Sequence, residues 1–272
     1  MWSRKQSDVA EFASYDAIVL AVPAQAVREV LNVIKPPAKI PLIISAKGIE
    51  RRSAMFMNEV VTDVVPGAHV LVLSGPSFAS DVLKAMPTAV TLAAATLAEA
   101  GEWAQALTLP SFRIYGSDDV LGVEIGGAFK NVLAIACGIA DGRGLGDSAR
   151  AALTTRGFAE LTRFAAKLGA KPETLMGLSG LGDLLLTCSS RQSRNYAFGF
   201  GIGAGKSVAE ALAQSKGVVE GASTVKIAQA LARRHGIDMP IVDAVHAIVD
   251  EAASPEDEIA RLLARPLGPE IK

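Results

Sequence analysis

Lys130 stands in the segment 124–140, EIGGAFKNVLAIACGIA, where Asn131 is the only other polar residue after Glu124. At helical spacing its neighbours are Gly126, Gly127, Leu133 and Ala134, and three of the four are small enough to let a ligand or a second backbone reach the ammonium group. A lysine partly stripped of water in this way has a lowered pKa and can exchange a proton near neutral pH. A lysine snorkelling at a helix end, or paired with Glu124, would leave the same pattern.

A second run carries matching chemistry. Residues 177–195, GLSGLGDLLLTCSSRQSRN, bring Asp183, Thr187, Ser193, Arg194 and Asn195 together behind three close glycines. Packed helices have little use for such a run, since a helical Gly costs about 1 kcal/mol relative to Ala and every buried polar group needs a partner. Asp183 directly follows Gly182 in an expected tight turn, so its carboxylate can hold Lys130 or a substrate hydroxyl. Ser193, Arg194 and Asn195 precede a possible helix, whose first N–H groups and dipole favour an anion, with Arg194 adding a planar charged fork. Phosphate or carboxylate suits such a place. Ser193 or Asn195 as a plain N-cap is compatible with it.

The elements that must position these residues change type along the chain. Continuous apolar runs at 16–23, 41–46 and 69–73 predict buried strands, with a helix over 24–33 between the first two. Two more strands are expected at 88–92 and 112–115, with a helix over 97–107 between them. Buried strands alternating with helices predict a parallel α/β sheet of βαβ units. Beyond 118 the strand signal stops and the chain reads as helix, broken by glycine clusters at 142–146, 177–182 and 199–205. Two units follow, 1–118 and 119–272, with a cleft between them. Three strand ends empty into plausible binding loops: 22–25 (VPAQ), 46–50 (AKGIE) and 74–79 (SGPSFA). Any one of them could simply end a strand; three in register point to a ligand.

Composition narrows the classes. The chain has 272 residues, with 27 Lys and Arg against 28 Asp and Glu, which lacks the basic excess of a nucleic-acid or anionic-membrane surface. Its mean hydropathy is +0.32, yet no apolar run is expected to approach the roughly 18 residues of a membrane span. Cys137 and Cys188 lack metal spacing and the N-terminus lacks an apolar signal segment, so a cytoplasmic protein with free thiols is expected. His69, His235 and His246 share no metal spacing either; surface or capping roles and no bound metal are expected.

Several long motifs in one order carry a resemblance: VPAQAV (22–27), SAKGIE (45–50), SGPSFA (74–79), GVEIGGAFKNVLAIACGIADG (122–142), ARAALTTRG (149–157), the 177–195 run and VVEG (218–221). From about Asp8 to about Val242 the chain resembles bacterial NAD(P)-dependent sn-glycerol-3-phosphate dehydrogenase. The resemblance implies an incomplete Rossmann-like sheet domain followed by an all-α domain of the 6-phosphogluconate dehydrogenase type. It also implies interconversion of glycerol 3-phosphate and dihydroxyacetone phosphate with NAD or NADP, feeding glycerophospholipid synthesis, and a possible homodimer. Lys130 would be the catalytic base. Lys47, Gly75, Ser77, Asp183, Ser193, Arg194 and Asn195 would line the substrate pocket, which Asn131 and Thr187 join as neighbours in the same motifs. Lys47, Ala79, Arg194, Val218 and Glu220 would meet the cofactor.

One feature departs from that pattern. No strand, G-x-G-x-x-G and helix precede Asp8, although Trp2-Ser3-Arg4 is similar to the end of the family's second strand. The expectation is an N-terminally shortened nucleotide domain with an unpaired sheet edge, and the competing reading is a non-catalytic member that binds a phosphate ester or only assembles. A 3-hydroxyacid or 6-phosphogluconate type dehydrogenase is the other enzyme reading; the 193–195 run and the GDLLLTC turn argue against it. Two glycine runs are set aside. GIGAGKS at 201–207 lacks the first glycine and the leading strand of a phosphate loop, and 142–146 follows a helix, so it reads as a terminator.

Overall fold

The computed structural model describes residues 12–267; the Trp2-Ser3-Arg4 expectation lies outside them. Five strands form one sheet in sequence order: β1 (Ile18–Leu20), β2 (Leu42–Ile44), β3 (Val70–Ser74), β4 (Thr88–Ala93) and β5 (Phe112–Ser117). Helices α1 (Val27–Ile34), α2 (Met57–Val64), α3 (Ala79–Leu83) and α4 (Leu97–Leu107) connect or cover them.

Strand β2 shows why the sheet is buried on both faces. Leu42 and Ile44 point into a cluster with Leu31 of α1 and Val60 and Val61 of α2. Ile43, on the opposite side of the pleat, packs with Leu71, Leu92 and Ala100 of α4. All three β2 side chains are buried, each worth about 1.5–3 kcal/mol against exposure.

The sheet is parallel except at one place. β3 and β4 run antiparallel, with Leu73 opposite Leu92, which corrects the all-parallel expectation. Between them the chain has only the five-residue α3 and a turn, too little for a full crossover back across the sheet.

Past β5 the chain is helical: α5 (Val120–Gly142), α6 (Gly146–Lys167), α7 (Pro172–Met176), a π turn (Leu178–Gly182), α8 (Asp183–Cys188), α9 (Arg194–Gly203), α10 (Val208–Ala213), α11 (Glu220–Arg234), α12 (Pro240–Asp250) and α13 (Pro255–Leu263). α5 is the axis of this layer, buried from Gly122 to Ala140. By length and composition it would pass for a membrane span, but 89% of its apolar window is covered by protein, which makes it a core helix.

Glycines seat α9 against α5. A Cβ at Gly138 would lie 2.1 Å from the Tyr196 carbonyl oxygen, and one at Gly199 would lie 2.1 Å from that of Ile135. Gly142 and Gly203 repeat the arrangement one turn on, meeting the carbonyls of Phe200 and Ile139 at 2.3 and 2.2 Å. The expectation that glycines at 199–205 break helix is therefore corrected: Gly199, Gly201 and Gly203 lie inside α9, and all four of these close contacts are glycine against backbone carbonyls that only glycine admits. The helix stops after them, at Ala204, and Gly205 has φ +95°. The terminator at 142–146 is observed, with Gly144 and Gly146 at φ +70° and +84°. His246 is buried, not surface-placed, with Asp250 and Glu251 beside its ring.

Candidate active site

At the carboxyl end of the sheet, α5, α8 and the loop after β2 bring three charges together. Lys130 Nζ donates to Asp183 Oδ1 at 2.5 Å and to Thr187 Oγ1 at 3.1 Å. Lys47 Nζ donates to Asp183 Oδ2 at 2.7 Å and to the Gly75 carbonyl at 3.0 Å. Lys130, Asp183 and Thr187 are buried, and Lys47 is half-buried.

Local sequence explains the convergence. The π turn ends at Gly182, so Asp183 opens α8 and Thr187, one turn on, faces the same way and donates to the Asp183 carbonyl at 2.6 Å. Gly126 lets the π turn press on α5: a Cβ there would come within 2.5 Å of the Ser179 carbonyl oxygen. Gly127 makes room for the Lys47 stem, 3.3 Å from where its Cβ would lie. The small neighbours of Lys130 thus admit backbone on one side and a second lysine on the other. Glu124 is not the partner of Lys130; its Oε1 accepts from the Asn58 N–H at 2.8 Å, at the start of α2.

Burial, then the like charge of Lys47, push the Lys130 pKa down to about 8, against the pull of Asp183. Burial alone would raise the Asp183 pKa, but the two ammonium groups outweigh it and hold the carboxyl below its ordinary range. Two cations on one carboxylate leave a net positive charge in a largely dry place, which suits an anionic ligand. Each ammonium group has three N–H donors; two of each are spoken for here, and one of each is left for a ligand oxygen.

A second set of hydrogen bonds links α5 to α11. Asn195 Nδ2 donates to Asn131 Oδ1 at 2.8 Å, and Asn195 Oδ1 accepts from the Gly221 N–H at 2.8 Å. The amide orientation follows from these partners. Ser193 is the N-cap of α9, accepting from the Tyr196 N–H. The helix starts at Arg194, so Arg194 and Asn195 belong to it instead of preceding it. Arg194 is exposed and lies against Gly217, whose φ is +122°. It reaches the electrostatic surroundings of Glu220 and not the Lys130 cluster.

Whether the sheet edge fits a dinucleotide can be tested on Glu220. Its Oε1 accepts from the Ala24 N–H at 3.3 Å, while Oε2 is buried without a hydrogen-bond partner. A Cβ at Gly48 would lie 3.6 Å from that oxygen, so the orphan acceptor sits where the loops after β1 and β2 meet α11. Burial raises the Glu220 pKa. A buried acceptor at a strand-end crevice awaits an N–H or O–H donor, as a carboxamide or ribose supplies, and Arg194 nearby suits a phosphate. Gly75, at φ +148° with the Val90 Cα 2.9 Å from where its Cβ would lie, lets the chain leaving β3 press on β4 as a residue with a side chain could not. The residues fit NAD or NADP.

The expected site residues therefore fall into three groups. Lys47, Gly75, Lys130, Asp183 and Thr187 share one cluster; Ser77 adjoins it, donating to the Gly75 carbonyl at 3.2 Å. Asn131 and Asn195 form the link to α11, with Ser193 capping α9. Arg194, Val218 and Glu220 lie around the start of α11, whereas Ala79 opens α3, exposed. Sequence reasoning did not single out Ser74 and Ser179, whose buried hydroxyls lack hydrogen-bond partners, nor the Ala24 N–H. Their motifs were noticed, but a serine at a strand end (Ser74) or in a turn (Ser179) gives no sign of being left unpaired.

The same chemistry appears in known proteins. The family model for the NAD-dependent glycerol-3-phosphate dehydrogenase N-terminus matches residues 4–100, and that for its C-terminus matches 119–260. Glycerol-3-phosphate dehydrogenase [NAD(P)+] of Methylobacterium radiotolerans is 57% identical over 267 residues, 97% of this chain and 80% of the relative. That of Parvibaculum lavamentivorans is 49% identical over 98% of this chain and 81% of its own. The crystal structure of glycerol-3-phosphate dehydrogenase from Coxiella burnetii superposes with a TM-score of 0.89 at 39% identity, covering 94% of this chain and 79% of that one.

Proposed function

The chain belongs to the NAD-dependent glycerol-3-phosphate dehydrogenase family, and from that premise we propose how its residues carry out the reaction. It is an oxidoreductase that interconverts sn-glycerol 3-phosphate and dihydroxyacetone phosphate with NAD or NADP, an activity that supplies the glycerol phosphate of phospholipids. NAD or NADP, when bound, would supply the hydride chemistry.

The observation that carries the assignment is the buried Lys130 beside Asp183. With its pKa brought down to about 8, Lys130 takes the substrate hydroxyl proton in oxidation and returns it to the carbonyl oxygen in reduction. Asp183 fixes the amine and, with Thr187, sets its direction. Lys47 supplies a second ammonium N–H to the reacting oxygen and keeps Asp183 ionised. Asn131, Asn195, Ser193 and Arg194 hold the phosphate, with Gly75 and Ser77 shaping the wall. Glu220, Val218 and Ala79 would hold the dinucleotide, and Arg194 would serve both ligands.

The division at 118 follows the change from strand to helix between Ser117 and Val120. Free buried thiols at Cys137 and Cys188 accord with a cytoplasmic location. The test is oxidation of NADH and NADPH by the purified protein with dihydroxyacetone phosphate. Turnover that needs this substrate is expected. Phosphate-ester binding without turnover would support the non-catalytic reading instead.

A further inference from the structure

A cavity of about 480 Å³ lies between α9, α10 and the segment before α11, on the flank of Arg194 opposite Gly199 and α5. Arg191, Arg194, Lys206 and Lys216 line it, over the apolar floor of Phe198 and Ala211, and no carboxylate does. Arg191 is held in place by stacking on Phe200, 3.7 Å from the ring centre, and by Asp141 at 3.4 Å outside the cavity. Among the described residues Lys206 donates to the neutral amide of Gln214, with Glu210 in its electrostatic surroundings but outside the cavity lining. Lys216 and Arg194 have no hydrogen bond or ion pair among the described residues.

The chain as a whole carries a formal charge of -1, so four cations around one cavity are a local arrangement and not a consequence of composition. Like charges gathered in a concave place repel one another and focus a positive potential, which an incoming anion relieves. The volume is within the range of small-ligand pockets. Arg194 belongs both to this cavity and, by the reading above, to the phosphate site.

We infer that Arg191, Lys206 and Lys216 form an outer phosphate-collecting basin, through which the phosphate-ester substrate is drawn to Arg194. The inference rests on the proposed function. The basin touches neither the reacting atoms nor the Lys130 cluster, so it acts on capture and not on the chemical step. Its ligand class is a phosphate monoester dianion, recognised by charge and not by the carbon skeleton.

The experiment compares the intact protein with the double variant Lys206→Gln/Lys216→Gln. At low ionic strength kcat/KM for dihydroxyacetone phosphate is expected to fall about tenfold with kcat unchanged. At high ionic strength the two proteins should converge, because salt screens exposed charges. Lys206→Arg/Lys216→Arg should behave as the parent. Equal kcat/KM at low ionic strength overturns the basin, and so does a deficit that persists in high salt, which would mean lost packing. Calorimetric titration with inorganic phosphate reads the same difference without turnover: weaker, less salt-sensitive binding by the Gln variant is expected, and identical isotherms overturn the inference. An inactive parent would count against the proposed function, while the phosphate titration would still decide the basin.

Discussion

Lys130 and Asp183, 53 positions apart in sequence, meet at 2.5 Å between Nζ and Oδ1, and the other oxygen of the same carboxylate is taken by Lys47 at 2.7 Å. One carboxylate thus serves two ammonium groups, which keeps both lysines close while leaving each with a donor to spare. Desolvation of an ammonium costs several kcal/mol and a single shared carboxylate cannot offset it for both. The lowered pKa of Lys130 is the form this imbalance takes.

Lys130→Ala should cut kcat for dihydroxyacetone phosphate reduction by about 10²- to 10⁴-fold, the usual span for a positioned acid or base, with KM changed little. Arg194→Ala should do the reverse, raising KM while kcat is largely kept. Steady-state kinetics separates the two; similar small effects from both would remove the roles assigned to them.

The pH dependence follows from the same pKa. Below about 8 Lys130 is protonated and can donate; above it the amine is free to accept. Reduction should therefore lose activity as pH rises through about 8, and oxidation of glycerol 3-phosphate should gain it over the same interval. Opposed pH profiles of kcat for the two directions are the check, and profiles moving together would place the titration elsewhere.

Asp183→Asn should be costly in two ways. Removing the carboxylate leaves two buried or half-buried cations facing each other, a loss of about 3–5 kcal/mol where a buried pair is broken from one side. Adding Lys47→Met to it should recover part of the stability but none of the activity. A double-mutant cycle by chemical denaturation reads the coupling.

Much of this was legible beforehand, and the gaps have physical reasons. The run 97–107 is helical as read, closed at its start by Thr96, whose side chain accepts from the Glu99 N–H, because caps and periodicity are local signals. Lys130 could be picked out because a charge on an apolar face has few uses. The direction of β4 could not, since an antiparallel partner leaves the alternation of Thr88–Ala93 unchanged. Nor could the role of Gly199 and Gly203, because what they accommodate is the backbone of Ile135 and Ile139, more than sixty residues upstream. The link from Asn195 to Gly221 was hidden for the same reason: one partner is a main-chain N–H.

Glu160 predicts a pH-dependent stability unrelated to catalysis. Its carboxylate accepts from the Ile241 N–H at 3.0 and 3.2 Å at the start of α12, an arrangement that favours the charge. Burial nevertheless wins and raises its pKa to about 8. The folded protein then binds more protons than the unfolded chain between about 4.5 and 8, so this group makes stability fall as pH rises through that window and level off above it. Glu160→Gln keeps an acceptor for Ile241 and removes the charge. Its melting temperature should gain on the parent with rising pH, by about 2–4 kcal/mol in stability at pH 9 relative to pH 5; a constant difference across pH would show that Glu160 stays ionised.

Two Gly→Ala substitutions should have opposite signs. At Gly138 the added Cβ would sit 2.1 Å from the Tyr196 carbonyl oxygen and 2.8 Å from the Phe200 nitrogen. Those are backbone atoms of α9, so the helix as a whole must back away from α5. The gain of about 1 kcal/mol in helix propensity is overtaken by an overpacking cost of about 1–3 kcal/mol or more. Gly101, on the exposed face of α4, has nothing within 4 Å of the same Cβ, and Gly101→Ala should stabilise by about 0.4–1 kcal/mol. The separation of the helices has a functional consequence, because α9 carries Asn195 to Asn131. Gly138→Ala should therefore raise KM for dihydroxyacetone phosphate as well as lower the melting temperature, whereas Gly101→Ala should shift only the latter. A Gly138→Ala protein with reduced stability but unchanged KM would mean that the Asn131–Asn195 pair is a packing contact with no part in holding the phosphate.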